Sequence, residues 1–167
     1  MLSVKISDVK LFMNKFLGTE MFDHFLVPNA TVNTFVTHHI DGHIQLDFFS
    51  DENPDKELLA GDPYIPFSNI RQYCFEIMKG KRSPLSFKFV FMLSKENQSR
   101  TLSSLKSSFS SDDITGMFIN LNYQNKQLLC TTGISYRTFT LDKSLESEWE
   151  RLVTVFLKNN QIICESL

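Results

Sequence analysis

The chain has few of the residues on which many small catalytic and secreted folds depend. Its 167 residues include three cysteines, six glycines, five prolines and one tryptophan. The cysteines, Cys74, Cys130 and Cys164, are odd in number and widely spaced, which excludes a disulfide framework and a zinc knuckle. Six scattered glycines leave no Rossmann or P-loop phosphate fingerprint. No apolar run approaches the roughly 20 residues of a spanning helix, so we expect no membrane segment.

The chain also lacks an excess of charge of one sign, with 17 Lys and Arg against 19 Asp and Glu. Dedicated nucleic-acid binders carry a positive excess, so this balance disfavours that class. The charges are segregated: residues 41–62 hold seven acids and one lysine, and residues 71–100 hold seven basic residues and two acids. We predict two solvated segments of opposite sign that face each other. Within the second, Lys79, Lys81 and Arg82 are the candidate interface or polyanion patch.

The first ten residues predict the compartment. They lack a continuous hydrophobic core and a small-residue cleavage site, so we expect no export signal. Cys74 shares a helical stripe with Ile70 and Ile77, which indicates a buried, reduced thiol. Both observations predict a cytoplasmic protein.

The chain is rich in phenylalanine, with 16 residues. Its apolar residues recur at the spacings that are typical of helices and strands. Apolar residues at helical spacing predict amphipathic helices after Ser7, after Pro66 and after Asp142 or Ser144, and a short helical stripe near Leu102. Phe87, Phe89 and Phe91 alternate on one face of a strand whose other face is also apolar. That pattern favours core packing over a surface for stacking bases.

The strands are predicted from alternation and turn residues. The long strand 25–40 is followed by Asp41-Gly42, which is typical of a type I′ hairpin turn, and by a return strand at 44–48. A strand is predicted at 85–93. A three-strand meander is predicted at 114–123, 127–132 and 134–141. We therefore predict one α+β domain over residues 1–167. Its antiparallel or mixed sheet would have about six strands built from hairpins and the C-terminal three-strand meander, with about four helices.

A histidine-rich stretch provides the sharpest candidate for chemistry. Three of the four histidines lie within six residues. On the predicted hairpin, His38 and His43 become diagonal neighbours with Cβ atoms about 7 Å apart, and Asp47 lies further along the same face. Two imidazoles and a carboxylate could hold zinc with one open position, as in a small metal-dependent hydrolase. The other interpretation is ordinary polar residues at an exposed hairpin tip.

No other catalytic arrangement is found in the sequence. The chain has no G-x-S-x-G elbow for a serine nucleophile. The adjacent acids Asp112 and Asp113 point apart in an extended chain, which disfavours a glycosidase pair. We therefore assign no catalytic residue and no cofactor other than the zinc alternative.

Several segments resemble a known family. They are Ile40-Asp41-Gly42, residues 79–88, Thr131-Thr132-Gly133 and residues 138–146. The chain is similar over nearly its whole length to an uncharacterised family of small proteins from Gram-positive anaerobic bacteria. That resemblance implies a bacterial, cytoplasmic protein and transfers no catalytic residue.

The order of predicted elements carries a second resemblance. A helix followed by a hairpin occurs at 8–48 and again at 102–140, which is similar to the subdomain plan of sliding DNA clamps. The resemblance is one of fold plan and transfers no clamp motif. The hypothesis that goes with it, a nucleic-acid-associated module, predicts salt-dependent contact with DNA through Lys79, Lys81 and Arg82.

Three functions stay open. We favour a non-catalytic binding domain whose partner is another protein or a second copy, with the two charged segments in intermolecular contact. The alternatives are the metal-dependent hydrolase and the clamp-like module. Four phenylalanines lie outside the predicted core stripes and are where we expect an exposed patch: Phe22, Phe25, Phe48 and Phe49.

Overall fold

The structure is a computed structural model and describes residues 1–105 and 108–167. Seven β-strands occur in this part of the chain: β1 (Ser3–Ile6), β2 (Leu26–Asn33), β3 (Thr37–Asp41), β4 (Ser86–Met92), β5 (Ile114–Gln124), β6 (Gln127–Tyr136) and β7 (Cys164–Ser166). The same residues form five α-helices: α1 (Val9–Gly18), α2 (Pro54–Leu59), α3 (Phe67–Met78), α4 (Lys95–Ser104) and α5 (Ser144–Asn159).

All seven strands form one antiparallel sheet in the order β3-β2-β4-β5-β6-β1-β7. The predicted α+β class is confirmed, and the strand and helix numbers are each one above the prediction. Within the described residues, no helix has both the length and the apolar composition that crossing a bilayer requires.

The three long predicted helices are confirmed, with small shifts at their ends. Asp8 rather than Ser7 caps α1, because its carboxylate accepts the N–H of Leu11. Of the predicted short stripe Leu102, Leu105 and Phe109, only Leu102 lies on α4, which ends at Ser104. Residues 106 and 107, which fall within that stripe, lie outside the described residues.

The predicted strand 25–40 is two strands, β2 and β3, joined by a turn at residues 34–36. The N–H of Thr34 donates to the carbonyl of Val36 in that turn, and β3 pairs back on β2. The prediction of a hairpin turn at Asp41-Gly42 was therefore wrong. Alternation continued through the true turn because Ile40 of β3 lies beside Ala30 of β2 and packs against the same core. After β3 the chain forms a 3-10 turn at Leu46–Phe48 instead of a return strand.

The predicted C-terminal meander has two strands instead of three. β6 continues through Gly133, which pairs with Phe118 of β5, and ends at Tyr136. The far side of β6 is occupied by β1, with Ser3 opposite Thr131. The chain's N-terminal residues thus take the place predicted for the third strand.

The core lies between one face of the sheet and the helices α1, α3 and α5. The strand prediction for the phenylalanines of β4 is confirmed, since Phe87, Phe89 and Phe91 are all buried. Their rings meet those of the helices, for example where Phe16 packs edge-on against Phe89 at 5.1 Å. The phenylalanine excess is therefore mainly core packing.

A partly buried ion pair holds α3 to the connection between α1 and β2. Arg71 donates from Nε to Asp23 at 2.9 Å, and Asp23 is 8% exposed. The guanidinium also donates to the carbonyl of Leu17. The pair therefore joins three parts of the helical layer.

We expect Arg71→Ala to lower the free energy of unfolding by about 1–3 kcal/mol, since it leaves the Asp23 carboxylate desolvated without its partner. The matched control is Arg100→Ala, because Arg100 pairs with Glu96 where both side chains are 73% exposed. For the control we expect a loss of at most about 0.5 kcal/mol. Urea denaturation of both variants measures the difference, and equal losses would contradict this role for Arg71.

Candidate functional site

The predicted basic residues lie on a short loop at one end of the sheet, residues 79–85, which we call the basic loop. It begins at the end of α3, where the N–H of Lys79 donates to the carbonyl of Phe75. Gly80 follows with φ +137°, a conformation that favours glycine. The loop ends where the N–H of Leu85 donates to the carbonyl of Asn33 at 2.8 Å. Both ends of the basic loop are thus attached to regular structure.

A cavity of about 700 Å³ lies between α1 and α3 on one side of the basic loop, and we call it the α1–α3 groove. Its floor is apolar and comes from both helices and two strands. Cations from α1 and from the basic loop stand at its edge. The residues that matter for recognition are Met13, Leu17, Phe87 and Tyr123 on the floor and Lys10 and Arg82 at the edge.

A second cavity, of about 560 Å³, lies on the other side of the basic loop beside the turn between β2 and β3. We call it the turn groove. Phe35, at the turn, is 95% exposed, and Leu85 is 76% exposed. Ile77 contributes to the wall and Lys81 to the edge. Apolar side chains and cations therefore stand together on both sides of the basic loop.

Most of the cations at this end of the sheet have no acidic partner. Lys79 pairs with Glu76 at 2.5 Å and lies over the ring of Phe75. The hydrogen bond from Lys79 holds the pKa of the Glu76 carboxyl below its usual value. Among residues 1–105 and 108–167, no carboxylate lies within 4 Å of Lys10, Lys81 or Arg82. These three charges are available to an anionic partner.

The acidic segment 41–62 and the basic loop lie at opposite ends of the sheet, whereas residues 71–100 as a whole run along β4 from one end of the sheet to the other. The basic loop joins the sheet at the end of β2, whereas residues 42–66 leave and rejoin it at the start of β2, through Pro28 and Leu26. Along β2, Asn33 is about 17 Å from Pro28 and about 23 Å from Leu26. The two charged segments, 41–62 and 71–100, touch where Asp62 accepts the N–H of Lys95. No side-chain ion pair joins them within the described residues.

The predicted metal ligands His38, His43 and Asp47 are not brought together. The hairpin that would have made them neighbours is absent, because the partner of β3 is β2. His43 instead donates its backbone N–H to Asp41 and places its ring Nδ1 2.6 Å from the same carboxylate. These hydrogen bonds, the backbone one first, lower the pKa of Asp41. In the part of the chain that the structure describes, no three His, Cys, Asp or Glu residues form a group able to hold a metal.

A model of a family of unknown function, DUF5721, matches residues 15–165 of the chain. The chain belongs to the DUF5721 family. No curated protein and no solved structure matches it. The membership confirms the resemblance to an uncharacterised family. The bacterial, anaerobic and cytoplasmic origin that the resemblance implied stays a prediction.

Burial disfavours the thiolate form of the cysteines of this DUF5721 chain, most strongly at Cys74 and Cys130. Burial raises the pKa of both Cys74 and Cys130 to about 12. It also raises the pKa of the half-buried Cys164. Since the thiolate is the reactive form, these thiols are weak nucleophiles at neutral pH. The sequence prediction of a buried Cys74 is confirmed.

The predicted exposed phenylalanines of the DUF5721 chain divide between surface and core. Phe48 is 85% exposed, but Phe22 is fully buried and packs against other rings.

Sequence reasoning missed Phe35, which it placed in the middle of a strand. The turn around Phe35 contains no glycine and no Asn-Gly or Asp-Gly pair, so the usual signal for a hairpin turn was absent.

Proposed function

We propose that the protein is a non-catalytic binding domain, and that the basic loop and its two grooves bind a segment of another protein. The bound segment would combine acidic with apolar side chains. One observation carries this proposal: the unpaired cations Lys10, Lys81 and Arg82 stand at the edges of two open apolar cavities. An anionic, apolar segment satisfies both features at once.

The α1–α3 groove is large enough to bind apolar side chains of a partner. Its volume of about 700 Å³ lies within the range of binding cavities in general. An apolar side chain from a partner gains about 1.5–3 kcal/mol when it is fully buried. The surrounding cations contribute less affinity, but they select acidic partners and speed the encounter.

The lining of the α1–α3 groove supports binding rather than catalysis. Its polar side chains include those of Asn14, Ser83 and Tyr123 in addition to the cations. Its described lining residues include no carboxylate, imidazole or thiol. Such groups supply most general bases and acids in enzymes, so this groove has few groups suited to proton transfer.

Selection from a random-peptide display library tests the proposal with the full chain as target. We expect the selected peptides to be enriched in Asp or Glu together with Phe or Leu. We expect the variant Lys81→Glu with Arg82→Glu to bind those peptides about tenfold more weakly, because two attractive charges become repulsive. Fluorescence anisotropy with the labelled peptides gives the dissociation constants.

The matched control carries Lys88→Glu with Lys158→Glu, which changes the net charge equally at exposed positions outside the basic loop. Its affinity for the selected peptides should equal that of the unchanged chain. Peptides without acids, or equal affinities for the variant and the control, would contradict the proposal. A single-stranded oligonucleotide is titrated in parallel, and binding of it in preference to the peptides would favour the nucleic-acid alternative.

A further inference from the structure

We propose that the segment bound at the basic loop is the acidic segment, residues 41–62, of a second copy of this chain. This inference rests on the proposed function and names its partner. Copies would then associate head to tail, with the basic end of one sheet against the acidic end of the next.

The acidic segment displays the two kinds of side chain that the basic loop requires. Within it, α2 is anchored by Leu59, which is buried, while the neighbouring Leu58 is 79% exposed. Phe48 is 85% exposed on the 3-10 turn before α2. Two large apolar side chains are therefore presented to solvent on an acidic background.

Most acids of this segment lack a cationic partner among residues 1–105 and 108–167. Lys56 neutralises Asp51 at 2.7 Å. Glu52, Asp55 and Glu57 are exposed and have no cation within 4 Å in the described parts of the chain. Unpaired acids at one end of the molecule thus match unpaired cations at the other.

The geometry requires a second copy for this contact. Within one chain the basic loop and the acidic segment are attached at opposite ends of β2, about 17–23 Å apart. The basic loop of a chain is therefore separated from its own acidic segment by most of the length of the strand. A contact between two different surfaces leaves one free end on each copy, so the association continues into a ring or a row of copies.

Sedimentation velocity of the full chain over a series of protein concentrations tests the inference. We expect the weight-average sedimentation coefficient to rise with concentration at low ionic strength. Raising the salt concentration to about 0.5 M should lower the association constant about tenfold or more, because salt screens the attraction between exposed charges. A sedimentation coefficient that stays at the monomer value at low salt and at every concentration would overturn the inference.

Two variants locate the surfaces. The first carries Lys81→Glu with Arg82→Glu, and the second carries Phe48→Ser with Leu58→Ser, which are exposed positions outside the core. The self-association constant of each variant alone should be lower than that of the unchanged chain by about tenfold or more. Mixed together they should form a one-to-one dimer and nothing larger, because the mixture has one intact basic end and one intact acidic end.

Matched controls carry the same changes at other exposed positions. Lys88→Glu with Lys158→Glu repeats the charge change, and Phe139→Ser with Leu141→Ser repeats the loss of exposed apolar side chains. Both controls should associate as the unchanged chain does. Equal losses in controls and variants, or a mixture that stays monomeric, would overturn the head-to-tail contact.

Failure of this inference can be told apart from failure of the proposed function. If the chain stays monomeric while library peptides still lose affinity for Lys81→Glu with Arg82→Glu, the partner is a different protein and the binding function stands. If those peptides bind that variant and the unchanged chain equally, both proposals are wrong.

Discussion

Replacing Gly42 by alanine is expected to lower the free energy of unfolding by at least about 3 kcal/mol or to prevent folding. A Cβ atom at this position would lie 1.5 Å from the carbonyl oxygen of Val27 and 2.7 Å from its carbon. The backbone cannot easily move away, because the N–H of Gly42 donates to Pro28 and its carbonyl accepts from Ile65. The clash is with backbone atoms at the start of β2, so no side-chain rotation relieves it.

The control for this substitution is Gly61→Ala in the same segment, where a Cβ would meet nothing within 4 Å. We expect Gly61→Ala to be neutral or to stabilise by about 0.4–1 kcal/mol, since alanine restricts the unfolded chain. Urea denaturation followed by fluorescence of Trp149, which is the single tryptophan and is buried, measures both variants. An unchanged urea midpoint for Gly42→Ala would contradict the close approach of Gly42 to Val27.

Truncating Phe16 to alanine is expected to destabilise the protein by about 3–5 kcal/mol. Phe16 is fully buried on α1 and contacts rings from the helical layer and from the sheet. Its ring stacks on that of Phe67 at 5.0 Å and packs edge-on against Phe22, Phe89 and Phe91. The cavity would therefore open where α1, α3 and β4 meet, and such a loss is a large part of the roughly 5–15 kcal/mol that stabilises typical domains.

The matched control is Phe139→Ala, because Phe139 is 88% exposed. A surface substitution of this kind changes stability by at most about 0.5 kcal/mol. Phe16→Leu fills part of the cavity and keeps the measurement possible if the alanine variant does not fold. An unfolding free energy for Phe16→Leu equal to that of the unchanged chain would contradict the central position of this ring.

The long helices α1, α3 and α5 could be predicted because each repeats its apolar pattern over several turns, whereas α2, with six residues, was not predicted. Phe12 and Phe16 repeat on α1 and are fully buried, as their spacing requires. The strands were harder to predict because their partners lie far away in the sequence. β1 has four residues and β7 has three, too few for a period to show. Their positions in the sheet depend on pairing with distant segments, since β1 pairs with β6 on one side and with β7 on the other.

The glycine at position 42 fits either of two structures, a tight hairpin turn or a close approach of two backbone segments. An Asp-Gly pair after an alternating run is typical of a hairpin turn, and the hairpin prediction depended on that pattern. The structure requires the glycine because the chain passes against the carbonyl of Val27. The expected proximity of His38 and His43 depended on the same turn, so the zinc prediction loses its geometric basis along with the hairpin.

The candidate site was only partly predictable. Lys79, Lys81 and Arg82 are close together in the sequence, so their shared location follows from local structure alone. The α1–α3 groove adds Lys10 from one helix and Tyr123 from a distant strand, which only the packing of the sheet brings to the basic loop. The separation of the basic loop from the acidic segment likewise depends on how β2, β3 and β4 pair and could not be inferred from composition.

We propose that a partner with acidic and apolar side chains binds at the basic loop. The most direct test is a titration of the isotope-labelled full chain with a selected acidic peptide, followed by two-dimensional amide NMR spectra. Our account predicts the largest shifts at residues 79–85, at the turn 34–36 and in the first turns of α1. Largest shifts in residues 41–62 or on β6, or no shifts at saturating peptide, would contradict it.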